Sequence, residues 1–93
     1  MISAVVEMFG LSREVSGLPE VEVSLEDNAR LEDVVAALRR QLPVMEGPVI
    51  RHGQDRLEDV CIFNINGQFY HDENDLPIKD GERLRLLSLA TGG

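Results

Sequence analysis

From position 2 to position 8 the chain reads Ile2, Ser3, Ala4, Val5, Val6, Glu7, Met8, mostly apolar and partly β-branched. That composition predicts a strand in the middle of a sheet. The pattern breaks over residues 9–19, where Gly10, Gly17 and Pro19 predict a connection, with Phe9, Leu11 and Val15 tucked back onto the core. Alternation follows in Glu20, Val21, Glu22, Val23, Ser24 and Leu25. A two-residue period predicts a half-exposed strand, paired antiparallel to the first. The period then changes. Leu31, Val34, Val35, Leu38 and Leu42 recur at the spacing of one helical face, and Pro43 ends the run. Glu32 and Asp33 suit the positive end of the helix dipole, Arg39 and Arg40 the negative end. Asn28 is the best cap by residue type, and Arg30 is the alternative.

Residues 44–59 carry Gly47, Pro48 and Gly53 and predict a loop with one helical turn. Residues 60–65 (Val60, Cys61, Ile62, Phe63, Asn64, Ile65) read as a strand that meets Asn66-Gly67, a strong hairpin signal, followed by a short strand over 68–71. Residues 72–79 are polar around an anchor of Leu76, Pro77 and Ile78, and Asp80-Gly81 turns the chain into a last strand over 82–89. A single amphipathic helix must bury its face across one mixed sheet. The fold class expected is therefore α+β, a ubiquitin-like β-grasp of four to five strands with one main helix. Its first and last strands lie parallel in the centre. One domain over 1–93 is expected, with a flexible tail from about residue 90.

Composition narrows the function classes. Apolar residues make up 43% and charged residues 28%, so a folded core is expected. Seventeen acidic against nine basic residues give a net charge of −8, which repels nucleic-acid phosphates and anionic membranes and favours a basic protein surface. Cys61 stands alone in an apolar strand, which excludes an internal disulfide and marks a core residue. The first residues carry no basic region and no long apolar run, so a cytoplasmic location is expected. His52 and His71 are far apart with only carboxylates such as Asp55 and Asp72 to join them, so no metal site is expected. The acidic run of Asp72, Glu73 and Asp75 lacks the glycine and terminal glutamate of a calcium loop and reads as a solvated turn. No phosphate-binding loop or nucleophile elbow is present.

The chemistry is expected at the other end of the chain. Ala90, Thr91, Gly92 and Gly93 offer almost nothing to bury, and a glycine carboxylate with no Cβ can pass through a narrow channel into another protein's active site. Carboxyl activation suits such a group: ATP would form an acyl-adenylate, and sulfur or an amine would displace AMP. A merely frayed end is the alternative. On the last strand, if Leu84 and Leu86 point to the core, Arg83, Arg85, Leu87 and Leu89 share the opposite face. Leu87 and Leu89, with Phe9 and Phe69 beside them and Ala90 and Thr91 beyond, form the expected partner-binding surface.

Phe9-Gly10 after the first strand, the apolar helix, Asn64-Ile65-Asn66-Gly67, Lys79-Asp80-Gly81-Glu82 and the final Gly92-Gly93 together resemble the ubiquitin-like sulfur carriers of the MoaD and ThiS type. The resemblance covers the whole chain and is nearest to the molybdopterin-synthase small subunit and its relatives. It departs from them in reading Ser88-Leu89-Ala90-Thr91 where prolines are common, and in the length of residues 44–59. It implies that Gly93 is adenylated, becomes a thiocarboxylate and donates sulfur in cofactor biosynthesis of the molybdopterin or tungstopterin type, with Gly92 as the second threading residue. It implies no bound cofactor and no enzymatic activity of the chain's own. ATP and magnesium are used by a ubiquitin-activating-type adenylating enzyme, a sulfur donor completes the reaction, and a synthase large subunit is a further partner. Two other readings stand beside it. One is a protein modifier joined through Gly93, for which Lys79 is the sole lysine available for chain growth. The other is an interaction module that undergoes no chemistry.

Overall fold

The computed structural model describes residues 1–71 and 73–89. Its elements are β1 (Ile2–Met8), α1 (Leu11–Ser16), β2 (Glu20–Leu25), α2 (Leu31–Gln41), a 3-10 turn (Pro43–Met45), β3 (Cys61–Ile65), β4 (Gln68–Tyr70) and β5 (Glu82–Ser88). Five strands form one sheet in the order β2-β1-β5-β3-β4. β1 and β5 run parallel, with Val6 opposite Leu84, and every other pairing is antiparallel. This is the β-grasp arrangement expected from the sequence.

The two-residue period fixes which side chains enter the core. Ala4, Val6 and Met8 of β1, Val23 and Leu25 of β2, Cys61, Phe63 and Ile65 of β3, and Leu84 and Leu86 of β5 are all buried. α2 closes that face with Leu31, Val34, Val35, Ala37 and Leu38. Its N-cap is Arg30, not Asn28: the Arg30 amide donates to Asp33 Oδ2 at 2.8 Å, and the backbone there is extended. The segment before β5 completes the cap. The amides of Leu31 and Glu32 donate to the carbonyls of Leu76 and Asn74, which satisfies two groups that a helix start leaves unpaired.

The structure departs from the sequence reading in residues 9–19, at strand ends and in residues 44–59. Residues 9–19 are not all connection, because α1 occupies Leu11–Ser16 and ends at Gly17 in the left-handed conformation. Leu11 and Val15 pack against the core, but Phe9 turns outward and is 39% exposed. The strand expected over 60–65 begins at Cys61, the one expected over 68–71 ends at Tyr70, and the one expected over 82–89 ends at Ser88. Residues 44–59 are also more than a surface loop. Met45, Val49, Ile50 and Leu57 are buried, Glu58 N donates to Val49 O at 2.8 Å, and the Arg39 guanidinium lies 3.0 Å from Asp55. At the hairpin, Asn66 and Gly67 have φ of 54° and 85°, the paired positive values that a tight two-residue turn demands.

Candidate functional site

With α2 on one face of the sheet, the opposite face carries Ser3, Val5 and Glu7 of β1, Glu20, Glu22 and Ser24 of β2, Arg83, Arg85 and Leu87 of β5, Ile62 and Asn64 of β3, and Phe69 of β4. Charge and apolar surface are segregated on it. Arg83 bridges Glu20 at 2.9 Å and Glu7 at 3.3 Å, and Arg85 reaches the same Glu7 carboxylate at 3.6 Å. The Glu7 and Glu20 carboxylates push the Arg83 guanidinium above its ordinary pKa, with the hydrogen bond to Glu7 as the largest cause.

Apolar groups gather where β5 ends. Leu87 stands opposite Ile62 across the antiparallel pair, both half-buried. Phe9 follows Met8, the partner of Leu86, and its amide donates to Leu86 O at 3.1 Å. Leu89, 46% exposed, donates its amide to the carbonyl of Val60, itself 41% exposed, at 2.6 Å. Phe9, Leu87 and Leu89 thus occupy neighbouring register positions at this end of β5. Phe69, 60% exposed, stands apart beside Asn64, one strand outward and level with Arg85. Ile62 and Val60 were not singled out as site residues. Alternation along 60–65 could have placed them, because it separates Val60, Ile62 and Asn64 from the buried Cys61, Phe63 and Ile65. Desolvating a cluster of this kind against a partner is a common source of docking energy.

Among the described residues, the remaining candidates hold no comparable site. The expected reacting residues Gly92 and Gly93, together with Ala90, Thr91 and Asp72, lie outside the described residues. Among the described residues, no group of three or more His, Cys, Asp or Glu is placed to hold a metal ion, and no helix is long and apolar enough to cross a membrane. His52 packs beside Gly47, whereas the ring of His71 lies 3.3 Å from Glu58 O. Burial and the nearby Glu58 push the Cys61 thiol up to about 11, so it is no nucleophile near neutral pH.

Known proteins match most of the chain. The chain is 27% identical over 85 residues to the molybdopterin synthase sulfur carrier subunit of Chlamydomonas reinhardtii, covering 91% of this chain and 92% of that protein. Its fold matches the small archaeal modifier protein 1 of Haloferax volcanii with a TM-score of 0.84 and 25% identity, over 98% of this chain and 99% of the other. The corresponding modifier of Methanosarcina acetivorans gives 0.76 at 25% identity, over 100% and 98%. The model of the ThiS family matches residues 6–93. A family match running from within β1 through the last residue, on a β-grasp sheet with an apolar cluster at the end of its central strand, establishes that the chain belongs to the ThiS family.

Proposed function

We propose that this chain is a sulfur carrier whose Gly93 carboxylate is the reacting group, presented from the end of β5 to an adenylating partner. The apolar cluster of Phe9, Ile62, Leu87 and Leu89, set where the chain leaves the sheet, carries this reading. A partner that buries the cluster holds the following residues near its own active site, and that converts a bimolecular attack into a local one. A Gly93 oxygen attacks the α-phosphorus of ATP and pyrophosphate leaves. A sulfide-equivalent nucleophile then attacks the acyl carbon, the new C–S bond forms, and AMP leaves with the carboxylate oxygen. The thiocarboxylate donates that sulfur in cofactor biosynthesis of the molybdopterin or tungstopterin type. The chain acts as a co-substrate: partners supply ATP, magnesium and the activating residues, and a synthase large subunit accepts the loaded carrier.

A second reading shares the first step. The likeness to small archaeal modifier proteins favours a lysine amine of another protein as the group that displaces AMP, leaving an amide at Gly93. Intact mass after incubation with ATP, magnesium, a sulfur donor and an adenylating enzyme separates the readings. A gain equal to replacement of one oxygen by sulfur, absent from a variant lacking Gly93, supports the carrier. A lysine-linked adduct supports the modifier. If enzymes proven on their own carriers leave the mass unchanged, an interaction module is the better account. In the same assay Leu87→Asp keeps the fold and raises KM for the carrier about tenfold or more, because a carboxylate replaces the centre of the patch. An unaltered KM would remove the docking surface from the scheme.

A further inference from the structure

The last residues of β5 are fastened from two sides by hydrogen bonds, distinct from the apolar side chains of the docking cluster. Ser88 follows the inward parity of Leu84 and Leu86, yet it is a polar residue at a half-buried position. Its hydroxyl accepts a hydrogen bond from the Leu11 amide at 2.7 Å, one of the donors that the start of α1 would otherwise leave unpaired. Gly10 allows this approach, because a Cβ there would lie 2.7 Å from Ser88 Oγ. Ser12, fully buried, accepts from the Phe9 amide at 3.2 Å, and its own hydroxyl lies 3.0 Å from Phe9 O and 3.3 Å from Leu86 O. On the other side Leu89 N is bonded to Val60 O at 2.6 Å. Hydrogen bonds therefore tie Leu86, Ser88 and Leu89 to Phe9 and the first turn of α1 and to the residue before β3.

We propose that Ser88 is a positioning residue for activation of Gly93. Its hydroxyl, held on the Leu11 amide, fixes the point and direction from which the chain leaves the sheet toward the partner's active site. This rests on the carrier reading. Four residues separate Leu89 from the reacting carboxylate, and at about 3.5 Å each they span at most about 14 Å, so the position of the root at the end of β5 bounds the space in which the carboxylate can meet the partner's active site. If the bond is cut, the end of β5 frays. The added freedom must be given up after docking, as the bound chain reaches the transition state, and ordering one backbone residue there corresponds to about a tenfold loss in kcat.

Two measurements on the full chain test this, with Ser88→Ala compared against the wild type. In ATP-dependent activation over a range of carrier concentrations, kcat falls about tenfold while KM, set by Phe9, Ile62 and Leu87, stays within about twofold. Amide hydrogen exchange by NMR is read in parallel, and the Leu89 amide loses protection while Val6 and Leu84 keep theirs. A purely structural role would lower stability and leave kcat of the folded protein unchanged, and that result overturns the proposal. So does a loss carried by KM alone. If no adenylating enzyme activates even the wild type, the carrier reading fails instead. The exchange data then decide whether Ser88 holds the strand end, and unchanged Leu89 protection rejects it.

Discussion

The two glycines that bound α1 offer a test of how that helix is held, because they differ in backbone region and in what an added side chain would meet. Gly17 has φ 74° and ψ 12°, and a Cβ built on it meets nothing within 4 Å. Gly10 has φ 60° and ψ −127°, and its Cβ would lie 2.7 Å from the Ser88 hydroxyl and 3.2 Å from Ser88 Cβ. Gly17→Ala therefore incurs only the left-handed backbone penalty, about 1 kcal/mol. Gly10→Ala places a side chain in a region reserved almost wholly for glycine, about 2 kcal/mol. It also displaces the hydroxyl that pairs the Leu11 amide, which adds about 1 kcal/mol. The expected costs are then about 1 and about 3 kcal/mol. At roughly 5 °C per kcal/mol for a chain of this size, the melting temperatures should fall by about 5 °C and about 15 °C. Urea unfolding followed by circular dichroism measures both, with the m-value unchanged if only the native state is affected. A Gly10→Ala cost that exceeds the Gly17→Ala cost by no more than about 1 kcal/mol would refute the reasoning, since backbone conformation alone would then account for both and the contact with Ser88 would contribute nothing.

Two further outcomes are expected. Ile50→Ala costs about 2–5 kcal/mol in urea unfolding despite lying between α2 and β3, because the side chain is fully buried; a cost near zero would show that residues 44–59 do not belong to the core. Cys61 should resist iodoacetamide at pH 8 in the native protein and react once unfolded. Its thiol is held neutral up to about 11 against an ordinary 9.0, so the unfolded chain ionises first and stability falls as pH rises from about 9 to about 11. A Cys61→Ser variant that keeps the same fall over that range would assign it to other groups.

What the sequence shows and what it hides follow from the distance over which each feature is determined. Val23 and Leu25, or Leu31 through Leu38, announce their burial by a local period, and Asn66-Gly67 announces its turn by residue type. α1 has no such signal. Six residues are too few for a helical period to register, and its start is fixed by Ser88, 77 positions away from Leu11. Met45, Val49, Ile50 and Leu57 enter the core at irregular spacing, held by contacts such as the bridge between Ile50 and Leu57. At the site, parity alone placed Leu87 and Leu89 together. The pairing of Leu87 with Ile62, the outward turn of Phe9 and the bridge from Arg83 to Glu7 and Glu20 all depend on strand register, which no local pattern specifies.

The parallel pairing of β1 with β5 also determines how the molecule bears mechanical load. The two strands are hydrogen-bonded side by side from Ala4 opposite Glu82 to Met8 opposite Leu86. A pull applied between Ile2 and Ser88 runs along both strands in opposite senses, so it shears their hydrogen bonds together and does not peel them one at a time. Cys61 and the rest of β3 brace β5 on its far side, from Cys61 opposite Ser88 to Asn64 opposite Arg85. A machine that gripped the chain beyond Ser88 would meet its greatest resistance at once, in the strand that bears the docking cluster.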